Sequence, residues 1–178
     1  DYVDEFFPAI RRMFFRVFTF SKPLVAAISG HALAGGCVVA SAADYRVLAR
    51  DAKIGMPELR VGLALPTEGI ECFRFAVAPH YFQRVVTSGA SFCNEQALTA
   101  GLADVIAENG DVLPQALAFA AEYRQIPRKV FALTKEQIRR PVLEKMNEAE
   151  RVFGSRIAEL WKDETVREQV RRYVAERL

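Results

Sequence analysis

The sequence predicts an α/β fold with parallel strands, and three observations predict it. A short, wholly apolar run, LVAAI (24–28), has the length and composition of a strand buried on both faces. A glycine-rich turn and a short apolar helix, GCVVASAA (36–43), follow it. Two further strand-like runs come next, YRVLA (45–49) and AKIG (52–55). Helix, buried strand, helix, strand is the order of an α/β chain.

The elements follow in order. Residues 2–20 read as an amphipathic helix, with Val3, Phe6, Phe7, Ile10, Met13, Phe14, Val17 and Phe18 at three- and four-residue spacing. Asp4 and Glu5 come first and Arg11, Arg12 and Arg16 later, which suits the helix dipole. SKP (21–23) ends the helix, because the residue before a proline avoids the helical region. From residue 66 the chain turns helical, through ECFRFAVA (71–78) and HYFQRVVTSG (80–89), the latter closing on Gly89. Ser91 or Asn94 is positioned to cap EQALTAG (95–101), and LADVIA (102–107) reads as one more strand. DVLPQALAFAAEYRQI (111–126) is an amphipathic helix with Pro114 in its first turn, where a missing N–H costs little. Residues 128–160 give one or two helices interrupted near Pro141, and Asp163 caps a last helix with Val166, Val170, Tyr173 and Val174 on one face.

Composition narrows the function. The 178 residues suit one domain, and 51% hydrophobic residues supply a core. The 24 Lys and Arg against 22 Asp and Glu leave +2, without the basic block a nucleic-acid binder carries. Cys37, Cys72 and Cys93 are scattered and odd in number, as free thiols of a reducing compartment would be. With two histidines and no Cys/His cluster, no metal site is expected. No apolar run reaches membrane-spanning length and no signal peptide is visible. The first residue is Asp rather than Met, so a missing targeting segment carries little weight.

GHALAGGCVVASAAD (30–44) carries the chemistry. A buried strand ends, a loop follows, and a helix opens at Gly35–Gly36. The first N–H groups of a helix lack internal partners, and glycine lets a ligand come close to them. That equipment holds a negatively charged oxygen, either of a phosphate or of an enolate. Neither GxGxxG nor GxxxxGK[ST] is present, which weakens the phosphate reading. The competing explanation is tight helix–strand packing at the glycines.

KPLVAAISGHALAGGCVVASAADYRV (22–47) followed by AKIGMPELRVGL (52–63) resembles the crotonase (enoyl-CoA hydratase/isomerase) superfamily. The matching pieces are Lys22–Pro23, Ala26–Ala27, Gly30, Gly35–Gly36–Cys37, Asp44 and Gly55–Met56–Pro57–Glu58, and TSGASFCNEQALTAGLADVI (87–106) resembles the family's next block. The resemblance implies a crotonase-like spiral of ββα turns whose N-terminal part is missing from this sequence. Residues 1–110 would be the C-terminal part of that core, and 111–178 a helical region for trimerisation, giving a homotrimer or a dimer of trimers. It implies an acyl-CoA thioester substrate, with coenzyme A as part of the substrate and no separate cofactor. No nucleic-acid or membrane partner is implied. The bacterial cytoplasm is the expected location, with the mitochondrial matrix as the alternative.

The resemblance also implies site residues. The Gly35 N–H is one of two donors to the thioester oxygen, the other lying in an N-terminal segment this chain lacks. Leu33, Ala34 and Val38 line the substrate. Hydratases of the family carry one glutamate shortly after the glycine–cysteine pair and one in the PE segment; here the first position is Val38 and the second is Glu58. A lone glutamate beside an aliphatic residue resembles the mitochondrial-type Δ3,Δ2-enoyl-CoA isomerases, in which one carboxylate takes a proton from C2 and returns it at C4. Glu68 in TEG (67–69) is a rival, because peroxisomal and dienoyl-CoA isomerases use an acid near this loop. A hydratase, a dienoyl-CoA isomerase and a non-catalytic acyl-CoA binder stay open as alternatives. His31 and His80 are expected to pack or sit at the surface. Cys37 is either packing or a helix-start thiol with a depressed pKa. The basic side of VRRYVAER (170–177) is either solvated or reaches the nucleotide phosphates.

Overall fold

The computed structural model describes residues 2–177. The apolar stripe of the first segment forms α1 (Tyr2–Phe18), which buries Val3, Phe7, Phe14 and Phe18. Then follow β1 (Val25–Ile28), β2 (Ala32–Leu33), α2 (Gly35–Ser41), β3 (Tyr45–Ala49), β4 (Ile54–Gly55) and α3 (Glu58–Val61). Next come α4 (Thr67–Ala76), α5 (Pro79–Ser88), β5 (Ser91–Phe92), α6 (Asn94–Thr99), β6 (Val105–Ala107) and α7 (Val112–Glu122). A 3₁₀ turn (Tyr123–Gln125) leads to α8 (Arg128–Lys162) and α9 (Glu164–Arg177).

The strands form two small sheets. One is parallel throughout, in the order β1-β3-β6, with Val25 opposite Tyr45 and Val47 opposite Val105. The other is β2-β4-β5, parallel between β2 and β4 and antiparallel between β4 and β5. Phe14, Phe18, Leu48, Ile54, Met56, Phe73 and Leu102 are fully enclosed between the sheets, α1, α2 and α4. A smaller cluster of Val3, Phe7 and Ile157 joins α1 to the far end of α8, where the Trp161 Nε1–H donates to the Ala64 carbonyl at 2.7 Å.

Four local expectations are corrected. Among the described residues β1 lies at the end of its sheet, and it is not enclosed on both faces: Ala27 is exposed, Val25 and Ala26 are half-buried and Ile28 is buried. Neither Ser91 nor Asn94 caps α6: Ser91 lies in β5, and the helix starts after Cys93 without a side-chain cap. The chain from His31 to Leu33 is partly strand, because β4 supplies a partner. α8 runs unbroken through Pro141. Proline removes one helical hydrogen bond, to the carbonyl of Gln137, and both residues are exposed, so the loss falls on the solvent side of the helix where it costs least.

A buried polar clamp fixes α8 to the sheet. Asp44, just after α2, accepts from Leu24 N–H at 2.8 Å, Lys135 Nζ at 2.6 Å and Arg139 Nη2 at 2.8 Å. Lys135 also donates to the Lys22 carbonyl, and Arg139 to those of Phe18 and Ala42. Asp163 caps α9 as expected, accepting from the Thr165 and Val166 N–H groups. No helix among the described residues is long and apolar enough to cross a membrane.

Candidate active site

Two adjacent parallel strands end at the site. Ala32 N–H donates to the Lys53 carbonyl at 2.8 Å and Ala34 N–H to the Gly55 carbonyl at 3.0 Å. His31 joins this seam through Nδ1, which accepts the Lys53 N–H at 3.3 Å, so its role is local and structural. Leu33 pairs with Gly55 in the register of β2 and β4. Two residues past Leu33 the chain reaches Gly35; three residues past Gly55 it reaches Glu58. The glycine helix start and the glutamate therefore leave neighbouring strands in the same direction.

The turn into α2 is strained. Ala34 sits at φ 53° and ψ −125°, a conformation that costs a residue with a Cβ on the order of 1–3 kcal/mol. It swings the chain abruptly from β2 into the helix. The Gly35 N–H, first in α2, has no partner within the helix.

Packing does not account for the paired glycines. A Cβ built at Gly36 meets nothing within 4 Å, and one at Gly35 meets only the Phe14 ring, at 3.6 Å, an ordinary contact. Neither glycine has a positive φ. Gly55 is the opposite case, since a Cβ there collides with the Ala90 carbonyl and the Ser91 backbone. Gly55 is required by β5; Gly35 and Gly36 leave open backbone.

Glu58 opens α3 directly after Pro57 and is 7% exposed. Burial pushes its carboxyl up to about 7, only partly offset by a hydrogen bond from its own backbone. Its Oε2 is buried without a hydrogen-bond partner. A buried carboxyl with a free oxygen and a pKa near neutrality is suited to taking up and giving back a proton.

The remaining candidates fall around these two. Leu33 is exposed and Ala34 half-buried at the mouth of the turn. Val38 is buried, and its Cγ2 lies 3.5 Å from a Cβ built at Gly69, so it forms an apolar wall between α2 and the first turn of α4. Cys37 is completely buried, and burial pushes its thiol up to about 12, opposite to the depressed pKa a helix start suggests. Glu68 is not free as Glu58 is. Arg11 donates from Nη2 to its Oε1 at 2.7 Å and from Nε to its Oε2 at 3.0 Å, and the Thr67 hydroxyl donates to Oε2 at 3.2 Å. The pair with Glu68 raises the pKa of the guanidinium. His80 is exposed beside Tyr81, and Arg171 in the C-terminal basic segment pairs with Glu164 at 2.7 Å.

Two features were not legible locally. Arg11 and Glu68 are 57 residues apart, and the arginine reads equally well as a dipole-compensating surface charge. An apolar cleft of about 410 Å³ between α3, α4 and α8 is lined by Leu59, Leu65, Ile70, Val86, Phe153 and Ile157. Leu59 follows Glu58 in α3, although Glu58 itself does not line the cleft, which forms only when the helices assemble.

A family profile described as enoyl-CoA hydratase/isomerase matches residues 4–178. A probable enoyl-CoA hydratase of Mycobacterium tuberculosis, EchA17, is 37% identical over 117 residues, which are 66% of this chain and 45% of that protein. The human mitochondrial enoyl-CoA delta isomerase 1 is 29% identical over 76% of this chain and 45% of its own length. This chain therefore spans about half the length of these curated relatives. The crystal structure of human mitochondrial delta3-delta2-enoyl-CoA isomerase superposes with a TM-score of 0.88 at 24% identity, covering 94% of this chain and 66% of the other, and shows a shared fold.

Proposed function

Because the chain belongs to the enoyl-CoA hydratase/isomerase, or crotonase, family, we propose that it is the part of an acyl-CoA-acting enzyme that moves a 3-enoyl-CoA double bond to the 2-position. The Gly35 N–H is one donor to the thioester oxygen. Glu58, as carboxylate, removes a proton from C2; the electron pair spreads into a dienolate; and the protonated Glu58 returns the proton at C4. The C3–C4 double bond is lost, the C2–C3 double bond forms, and no atom is gained. Coenzyme A is part of the substrate, and no further cofactor enters.

One observation carries this reading: among the described residues a single carboxyl, Glu58, is buried with a free oxygen and raised to about 7, whereas Val38 is apolar and Glu68 is bound to Arg11. Adding water requires one group to position and deprotonate the water and a proton for C2. A shift within one dienolate needs a single shuttle. The apolar cleft beside Leu59 suits an aliphatic acyl tail.

We further propose that residues 111–178 serve assembly as a homotrimer or a dimer of trimers. Val130, Leu133 and Ile138 on α8 are more than half exposed and offer apolar area for a neighbour. Relatives occur in bacteria and in mitochondria, and our reading is a bacterial cytoplasmic protein, with the mitochondrial matrix as the alternative.

The test uses the full-length protein with 3-enoyl-CoA and 2-enoyl-CoA in separate assays. Conjugation appearing from 3-enoyl-CoA, and lost on Glu58→Gln, supports the reading. Water addition without isomerisation makes the protein a hydratase. Turnover of neither substrate with retained acyl-CoA binding makes it a binder.

A further inference from the structure

We infer that Arg11 is a specificity-determining residue, which holds Glu68 away from the substrate and so leaves the site with one working acid. The inference rests on the single-acid reading above and deepens it.

Glu68 stands one residue before Gly69, and Gly69 faces Val38 on the helix that opens at Gly35. The first turn of α4 is thus in contact with the helix that carries the oxyanion donor. Glu68 is the adjoining residue on that turn. Glu68 is turned instead to α1, where the Arg11 fork engages both of its oxygens. The remaining arm of the fork, Nη1, reaches Glu150 Oε1 on α8 at 2.6 Å. The Thr67 hydroxyl lies 3.2 Å from Glu68 Oε2 and 3.1 Å from Glu150 Oε2. Gly154, one turn beyond Glu150, completes the arrangement: a Cβ there would collide with the Glu150 carboxylate, which folds back over the bare helix.

Two carboxylates around one guanidinium is a poor way to gain stability, since desolvation offsets most of the attraction. It is an effective way to fix a rotamer, because the planar fork specifies direction as well as charge. Without Arg11, Glu68 and Glu150 would face one another across Thr67. The fork that directs Glu68 is then gone, and the Thr67 hydroxyl is shared between the two carboxylates. The other charged groups nearby do not replace the fork: Arg12 and Arg16 are exposed along the same α1 cavity, and Glu71 is paired with Arg74 at 3.1 Å. A freed Glu68, next to the Gly69 that meets Val38, supplies the second group that water addition needs and isomerisation does not.

The test compares Arg11→Gln, Arg11→Lys and Arg11→Gln/Glu68→Gln in the full-length enzyme, with both substrates and across pH. Arg11→Gln is expected to raise the ratio of hydration to isomerisation about tenfold, short of the roughly 10²–10⁴ that a well-placed acid or base supplies. It should also add a second limb to the pH profile. The double variant should remove both changes. Arg11→Lys keeps the charge and loses the fork, so it should give a smaller rise of about threefold. It also carries the test if Arg11→Gln does not fold. An unchanged ratio and pH profile in a folded Arg11 variant overturns the inference, as does a change that persists without Glu68. Isomerisation surviving Glu58→Gln overturns the single-acid reading instead, whatever the Arg11 variants do.

Discussion

Asp44 and Arg139 are 95 residues apart in the chain and meet at 2.8 Å, with Lys135 on the other oxygen of the same carboxylate at 2.6 Å. Both cations are nearly inaccessible, and burial lowers the pKa of each. Asp44→Ala leaves two buried positive charges without a counter-charge. The expected cost is about 3–5 kcal/mol, the range for breaking a buried ion pair on one side. Urea unfolding of wild type and variant measures it, and a loss below about 1 kcal/mol would mean that water reaches the clamp.

The glycines of the site should separate folding from activity. Gly36→Ala has room for its methyl group and replaces a poor helix former, so stability should be unchanged or rise by up to about 1 kcal/mol. Turnover of 3-enoyl-CoA should fall, because the methyl occupies backbone left open for the substrate. Gly55→Ala should lose about 1–3 kcal/mol through its collision with β5. Thermal melts and kcat/KM on both variants check the contrast.

Glu58 should cost stability above its unfolded pKa. Its folded value, about 7, lies above the ordinary 4.5, so the unfolded chain ionises first. Stability is therefore highest below about 4.5, falls as pH rises to about 7, and then levels off. Glu58→Gln removes this fall and should make the protein up to about 3 kcal/mol more stable than wild type at pH 8, with little difference near pH 4. Denaturant titrations at the two pH values decide it.

The same group sets the rate profile. Proton abstraction needs the carboxylate, so kcat/KM for isomerisation should drop about tenfold per pH unit on the acid side of about 7. Glu58→Gln should lower it by roughly 10²–10⁴. A profile flat between pH 5 and about 8 would show that another group moves the proton.

What could be read from the chain followed what the chain determines locally. β1, α2 and β3 are legible because each is a short, mostly apolar run with its own turn signal. The Asp163 cap is legible because capping is decided within three residues. β2 and β5 are two residues each, and they exist only because β4 lies between them and pairs with both. The antiparallel pairing of β4 with β5 has the same origin. At the site, Gly35 and Glu58 stand out in their motif. The free oxygen of Glu58, the grip of Arg11 on Glu68 and the emptiness around Gly36 depend on distant elements, and no spacing encodes them.

α8 passes through Pro141 without a break, so Arg139 and Glu150 belong to one rigid body, about 16 Å apart along its axis. The strut is bolted at two points, one under the sheet and one at the seam between α1 and α4. A displacement at either bolt is carried to the other with little loss. A push on the exposed flank of this rod would therefore reach the Glu68 end mechanically, without touching it.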